Sequence, residues 1–393
     1  MEHKIFNKKI LFIILIGLIL RVAFILYLKP EFYFDDEHEY WKMVENFLSG
    51  NGLIVGENLK AYRPPLYPLF LILLTKAGVG IVGIRMLQGL ISAATIYLIY
   101  YLGSKIYNER VGTLAAGIAS IYPFFIFYSG FLLTETLFIF LVIWCVLSFV
   151  NLIENDVSPF YGLVPGIVAG LAGLCRPTME LFFPFCLLFV LCGRQAPRIK
   201  FKKVMFASIG FIFVLSGWVI RNYIVLDKFI PGTTMGGAVF WEGNNPYSQG
   251  GPCRYFPEGV WQIEESKRDA VFYHLTFDCI KNNPQRFILL LGKKFLRFWN
   301  VVPNASEYSG RLYSIISVLS FGLMIPFFIF GIFVPVRNCK TVFLISIIVF
   351  FTIFHMIFLA SIRYRIAIEP FVILFASGGF LWLIDYAKGK TRI

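Results

Sequence analysis

The sequence predicts an all-α polytopic membrane protein, a bundle of about ten transmembrane helices with further helices and loops along one membrane face. Three observations predict it. Of 393 residues, 58% are hydrophobic and 15% charged, where soluble domains carry roughly 25% charged residues. Mean hydropathy is +0.72. Apolar runs long enough to cross a bilayer recur along the chain, and only helices satisfy their own backbone groups inside lipid. The net charge of +13 invites a nucleic-acid reading. The basic residues, however, gather at the ends of apolar runs, where they set orientation, so membrane lipids rather than nucleic acid are the expected surroundings.

The first run, Ile10–Leu28, follows Lys4, Lys8 and Lys9. It contains Arg21 and ends without a small-residue cleavage site, so it reads as a retained span and not a signal peptide. Further spans are expected at Val82–Leu102, Val111–Tyr128, Leu132–Ile153, Phe160–Leu174 and Met179–Leu191. Met205–Ile220, Leu312–Val334, Val342–Ala360 and Ile366–Ile384 complete the set. The short fifth and sixth runs are separated by "CRPT", and charge decides that they are two. With both termini cytoplasmic, Lys105, Arg110, Arg194, Arg198, Lys200, Lys202 and Lys203 fall inside. Arg337, Lys340, Lys388, Lys390 and Arg392 do the same. Merging the pair would place "RIKFKK" outside.

The whole chain, 1–393, reads as one membrane domain with two large extracytoplasmic regions. The first, 29–80, opens with "FYFDDEHEYW". Tyr40, Trp41, Val44, Phe47 and Leu48 recur there at helical spacing, and Gly50 and Gly52 stop the helix, which should lie in the interface plane. "PPLYPLFLILL" places prolines at the start of a second interfacial or re-entrant helix. The second region, 221–311, holds "GGAVFWEGNNPYSQGG", read as a turn-rich loop, and "PQRFILLLGKKFLRFW", an amphipathic surface helix. Asn304 begins an "NAS" sequon on this side. Among the seven cysteines, Cys145, Cys175, Cys186 and Cys192 sit in or beside apolar runs, as buried thiols do. Cys253 and Cys279 share the second region and are open to pairing.

Ionisable residues collect on the extracytoplasmic side: Asp35, Asp36, Glu37, Glu39, Arg63, Glu135, Arg176, Arg221, Arg363 and Arg365. Charges at membrane depth are costly and face a watery cavity or a partner. Each has a simpler role open to it. Asp36 suits a helix cap, Glu135 the first turn of a helix, and the arginines interfacial anchors. Together they pair a candidate general base with candidate phosphate ligands, which is the chemistry of group transfer from a lipid phosphate.

The chain resembles the GT-C superfamily of integral-membrane glycosyltransferases. The nearest branch is that of protein O-mannosyltransferases, the lipid A aminoarabinose transferase and lipopolysaccharide-core galacturonosyltransferases. The resemblance rests on "DDEHEYWKMVENFLSGNGL", "YRPPLYPLF", "TETLF", "GLCRPT", "WVIRNY", "GGAVFWEGNNP" and "RYRIAIEP". It implies an inverting hexosyl- or pentosyltransferase with a polyprenyl-phosphate sugar donor and an extracytoplasmic glycolipid, polysaccharide or protein acceptor. It implies Asp36 as general base, favoured over Asp35 by the spacing to Tyr40, and Glu135 orienting the acceptor or Asp36. Asp35, Glu37 and Tyr40 would line the substrate site. One or more of Arg63, Arg176, Arg363 and Arg365 would hold the donor phosphate. It implies no cofactor and no catalytic metal, although Asp35, Asp36, Glu37, His38 and Glu39 include the oxygen ligands that Mg²⁺ or Mn²⁺ accepts. A flippase or transporter of lipid-linked sugars is the rival class. It is disfavoured because the two outer regions are not copies of one another, as internal repeats would make them.

Overall fold

The computed structural model describes residues 8–56, 59–154, 157–304, 310–333 and 338–390. Lys4, Ser306 of the sequon, Val334, Arg337 and Arg392 lie outside the described residues. Among those described, the chain is helical, with a single isolated bridge between Val55 and Leu59.

Among the described residues, seven helices are long and apolar enough to cross a membrane. They are α1 (Lys8–Tyr27), α4 (Ile81–Ile106), α7 (Glu135–Glu154), α10 (Pro197–Leu226), the α14–α15 run (Arg311–Phe333), α16 (Cys339–Ile357) and α18 (Glu369–Ala387). The expected span Val111–Tyr128 is instead two helices, α5 (Glu109–Ile121) and α6 (Pro123–Ser129), bent by 53°. Pro123 causes the bend, because it has no amide hydrogen to continue α5. The bent pair makes an eighth candidate span. The expected tally of about ten also counts two shorter apolar helices, α8 (Leu163–Cys175, led by a 3₁₀ turn from Pro159) and α9 (Thr178–Leu191).

Helix α7 sits at the centre: 78% of its apolar window is buried, against 22% for α1. The neighbours approach closely where small residues meet, as helices do in lipid. A methyl group on Gly166 of α8 would stand 2.0 Å from the carbonyl oxygen of Ala207 in α10. One on Gly331 of α15 would stand 2.0 Å from that of Phe375 in α18.

The bundle has two unlike ends. At one, Lys105 donates to Asn151, Lys203 to the Leu152 carbonyl and Lys200 to the Leu191 carbonyl. α1 begins and α18 finishes at this basic end, where Arg110 pairs with Asp385. The other end carries α2 (Asp35–Leu48), α3 (Leu66–Lys76), α11 (Gly236–Asn244), α12 (Glu265–Asn282), α13 (Pro284–Phe298) and the short α17 (Ile362–Arg365). Helix α2 stops as expected before Gly50, whose φ of 85° only glycine adopts readily. The long outer segment departs from its expected loop: residues 236–244 form α11. Its apolar face, Ala238 and Trp241, packs on Phe272 of α12, and Asp269 accepts from the Gly237 amide. Cys253 and Cys279 are both free thiols, so the pairing left open for them is absent.

Candidate active site

Helix α2 starts at Asp35 without a side-chain cap on its first turn, so its acidic residues stand where the helix dipole favours them. The 3.6-residue period then sorts them. Asp36, Glu39 and Tyr40 share one face. Glu37 turns inward and Asp35 outward.

Onto the Asp36 face come three arginines from distant elements. Arg63, in the loop before α3, donates from Nη2 to Asp36 Oδ1 at 2.6 Å and from Nε to Glu39 Oε2 at 2.8 Å. Arg363, in α17, donates to Asp36 through Nη1 and to Glu135 through Nε. Arg176, at the turn between α8 and α9, meets Glu135 Oε1 at 2.7 Å and donates from Nε to Thr134 Oγ1 at 2.9 Å. Three guanidiniums thus meet three carboxylates in one chain of ion pairs. Aromatic rings floor it: Arg63 lies over Tyr40 at 5.5 Å and Arg176 over Phe138 at 5.4 Å.

Electrostatics follow the geometry. Burial pushes the Asp36 carboxyl up, but the Arg363 and Arg63 guanidiniums outweigh burial and hold it well below the usual carboxylate range. Burial pushes the Tyr40 phenol up to about 12, so it stays a hydrogen-bond donor at neutral pH. Glu135 is 1% exposed, and its Oε2 has no hydrogen-bond partner among the described residues. The cluster borders a cavity of about 380 Å³, lined by Asp36, Tyr40, Arg63, Arg176 and Arg363 on one side. Among the described residues, no three His, Cys, Asp or Glu side chains converge as metal ligands.

Three residues expected at the substrate site stand elsewhere. Asp35 points to solvent, 77% exposed, and among the described residues meets only the equally exposed Arg254 at 3.3 Å. Glu37 is fully buried. It accepts from the amides of Tyr33 at 2.7 Å and Leu132 at 2.8 Å, with Arg85 at 3.7 Å, and so ties the loop to the bundle. Arg365 is also fully buried, pairing with Glu369 and donating to the carbonyls of Phe298 and Asn300. It lies within two residues of Arg363 yet points into the core, because alternate positions on a helical turn face opposite ways. Arg221 donates to the carbonyls of Lys60 and Leu53 and anchors the first loop. Sequence reasoning counted Glu39 among the first-loop acids and quoted Thr134 within "TETLF", but placed neither in the arginine cluster. The i, i+3 spacing of Glu39 from Asp36 was the available signal for the first.

Residues 62–220 match the family described as dolichyl-phosphate-mannose-protein mannosyltransferase. Superposition finds the oligosaccharyltransferase of Archaeoglobus fulgidus tethered to an acceptor peptide, at a TM-score of 0.61, 15% identity and 98% of this chain. The chain has the GT-C fold. It spans about half the length of that enzyme, 51% of the matched chain. The same archaeal enzyme in complex with an inhibitory peptide and a dolichol-phosphate matches at 0.53, with 15% identity over 98% of this chain and 52% of that one. ArnT from Cupriavidus metallidurans bound to undecaprenyl phosphate is more distant, at 0.47 and 11% identity over 94% and 77% of the two chains. No curated protein matches the sequence.

Proposed function

We propose that this GT-C protein is an inverting membrane glycosyltransferase. It takes a sugar from a polyprenyl-phosphate donor and passes it to an acceptor hydroxyl on the extracytoplasmic side, the acceptor being a glycolipid, polysaccharide or protein. The observation that supports this reading is the single constellation in which Arg363 joins Asp36 to Glu135 while Arg63 and Arg176 close the cluster at its two ends. Positive residues gather at the opposite end of the bundle, which favours a cytoplasmic location for that end and both termini. That an archaeal enzyme of the same fold forms a complex with dolichol-phosphate favours a lipid-phosphate donor.

In this mechanism the acceptor oxygen bonds to the anomeric carbon from the face opposite the phosphate. Its proton passes to Asp36, the bond from that carbon to the phosphate oxygen breaks, and the electron pair leaves with polyprenyl phosphate. Attack from the opposite face inverts the centre. Arg63, Arg176 and Arg363 stabilise the charge growing on the leaving phosphate, the largest electrostatic demand of such a step. In the free protein both Asp36 oxygens are engaged by guanidiniums. The donor phosphate competes for those guanidiniums, and drawing one away restores basicity to Asp36.

The test is the reconstituted protein with a labelled polyprenyl-phosphate sugar and cell-envelope acceptors. Transfer that disappears in Asp36→Asn is the expected result. Passage of intact donor across the vesicle, unaffected by that change, would mark a flippase instead.

A further inference from the structure

The cavity has two unlike walls. The wall described above carries Arg63, Arg176 and Arg363, each already committed to a carboxylate. The other carries oxygen: Glu180, Thr178, Thr233, Asp269 and Tyr273. No lysine and no further arginine lines the cavity among the described residues.

Glu180 is the anomaly on that second wall. Its Oε1 is buried without a hydrogen-bond partner, and the described residues give it no cation. Arg176, four residues away, is turned toward Glu135 and Thr134 instead. A buried carboxyl oxygen without a partner costs free energy, and a site that keeps one requires a reason. The stem of Glu180 is closely packed: a methyl group on Gly173 would stand 2.7 Å from its Cγ.

We infer that Glu180 recognises the sugar of the lipid-linked donor, and that this sugar is not an acidic one. The inference rests on the donor class proposed above and names the chemistry of its sugar. Glu180 lies in the first turn of α9 and borders the same cavity as the three arginines. A phosphate held at the arginine wall extends the group attached to it, the sugar ring, into the space that Glu180 borders. Carboxyl oxygens accept from hydroxyls and from an ammonium group. A uronic acid placed there would lose its hydration against a wall of oxygens with no cation to replace it. The simpler role for Glu180, an acid favoured by the α9 dipole, predicts no dependence of donor binding on this side chain.

The experiment reads binding by the full-length protein, reconstituted in lipid nanodiscs, so turnover is not required. The probes are polyprenyl phosphate alone and the same lipid phosphate carrying a neutral hexose, an amino sugar or a hexuronic acid. The hexose or the amino-sugar donor is expected to bind about tenfold more tightly than the uronosyl donor, all three being phosphodiesters, the yield of about one good hydrogen bond. Glu180→Gln removes that preference and leaves affinity for bare polyprenyl phosphate unchanged, which also shows that the variant folds. The inference is overturned if the uronosyl donor binds tightest, if Glu180→Gln weakens bare and glycosylated lipid alike, or if it changes neither. A wild-type protein that binds lipid phosphate without preference among sugars overturns it too, and leaves the role of Asp36 standing. Sugar-dependent binding without any transfer would do the reverse.

Discussion

Replacing Arg363 by alanine perturbs the structure at its most connected point. The side chain donates to Asp36 through Nη1 and to Glu135 through Nε, and is 28% exposed. Its removal deletes two charge-assisted hydrogen bonds, at about 1.5–3 kcal/mol each. Glu135, 1% exposed, is left with Arg176 as its remaining cation. Cutting one partner from a buried pair costs about 3–5 kcal/mol; solvent access to Arg363 places this loss near the lower bound, about 3 kcal/mol. Thermal unfolding of Arg363→Ala, Glu135→Gln and the double variant should therefore show the double change costing less than the sum, with a coupling of about 1–2 kcal/mol. Turnover should fall about 10²–10³-fold, because the same guanidinium serves the leaving phosphate. Arg363→Lys should recover stability in part and turnover little, since one ammonium cannot reproduce a planar fork aimed at two carboxylates. An Arg363→Ala protein with undiminished turnover, or with no coupling to Glu135, would refute this account of the cluster.

Two further outcomes follow from the same geometry. Glu37→Ala should cost about 3–5 kcal/mol of stability, because Arg85 loses its buried anion; unfolding and activity should fall together, with no change in donor specificity. The pH dependence follows from Asp36. Its carboxyl is depressed below its unfolded value, so the stability it contributes is fully present above the ordinary carboxylate range and is lost only as pH falls through the lower folded value. Unfolding midpoints should therefore be flat with respect to this group between about pH 5 and 8. The kcat/KM profile, which reports the free enzyme, should show no acid limb from Asp36 in that window. The kcat profile should show its acid limb at higher pH, because bound phosphate draws a guanidinium away. Coincident limbs would show that the ion pairs do not exchange.

Much of this was legible in the residues, and the rest had physical reasons to be hidden. Apolar runs and lysine placement gave the bundle, because lipid leaves a backbone few choices. The break at Tyr122–Pro123 was missed because a long apolar run masks a single proline. The resemblance favoured Asp36 over Asp35 through the motif's spacing to Tyr40, and helical period did not add to it. Neither revealed that Glu37, one residue on, faces the protein interior, since Arg85 and the Leu132 amide arrive from other helices. Arg365 was grouped with Arg363 for the same reason: nothing local distinguishes an arginine aimed at Glu369 from one aimed at Asp36. Residues 236–244 were read as a loop on their glycines, whereas the apolar face packed on α12 makes them a helix. Glu180 drew no notice because an acid in a helix's first turn is ordinary; only the cavity beside it makes it otherwise.

The most direct test of the central claim is sugar transfer by purified Asp36→Asn and Asp35→Asn proteins, each with an unfolding profile matching wild type. The account predicts a loss of about 10²–10⁴-fold for the first, as removal of a general base gives, and near wild-type rates for the second, whose side chain reaches only solvent and Arg254. Full activity in Asp36→Asn, or collapse of activity in Asp35→Asn alone, would contradict it.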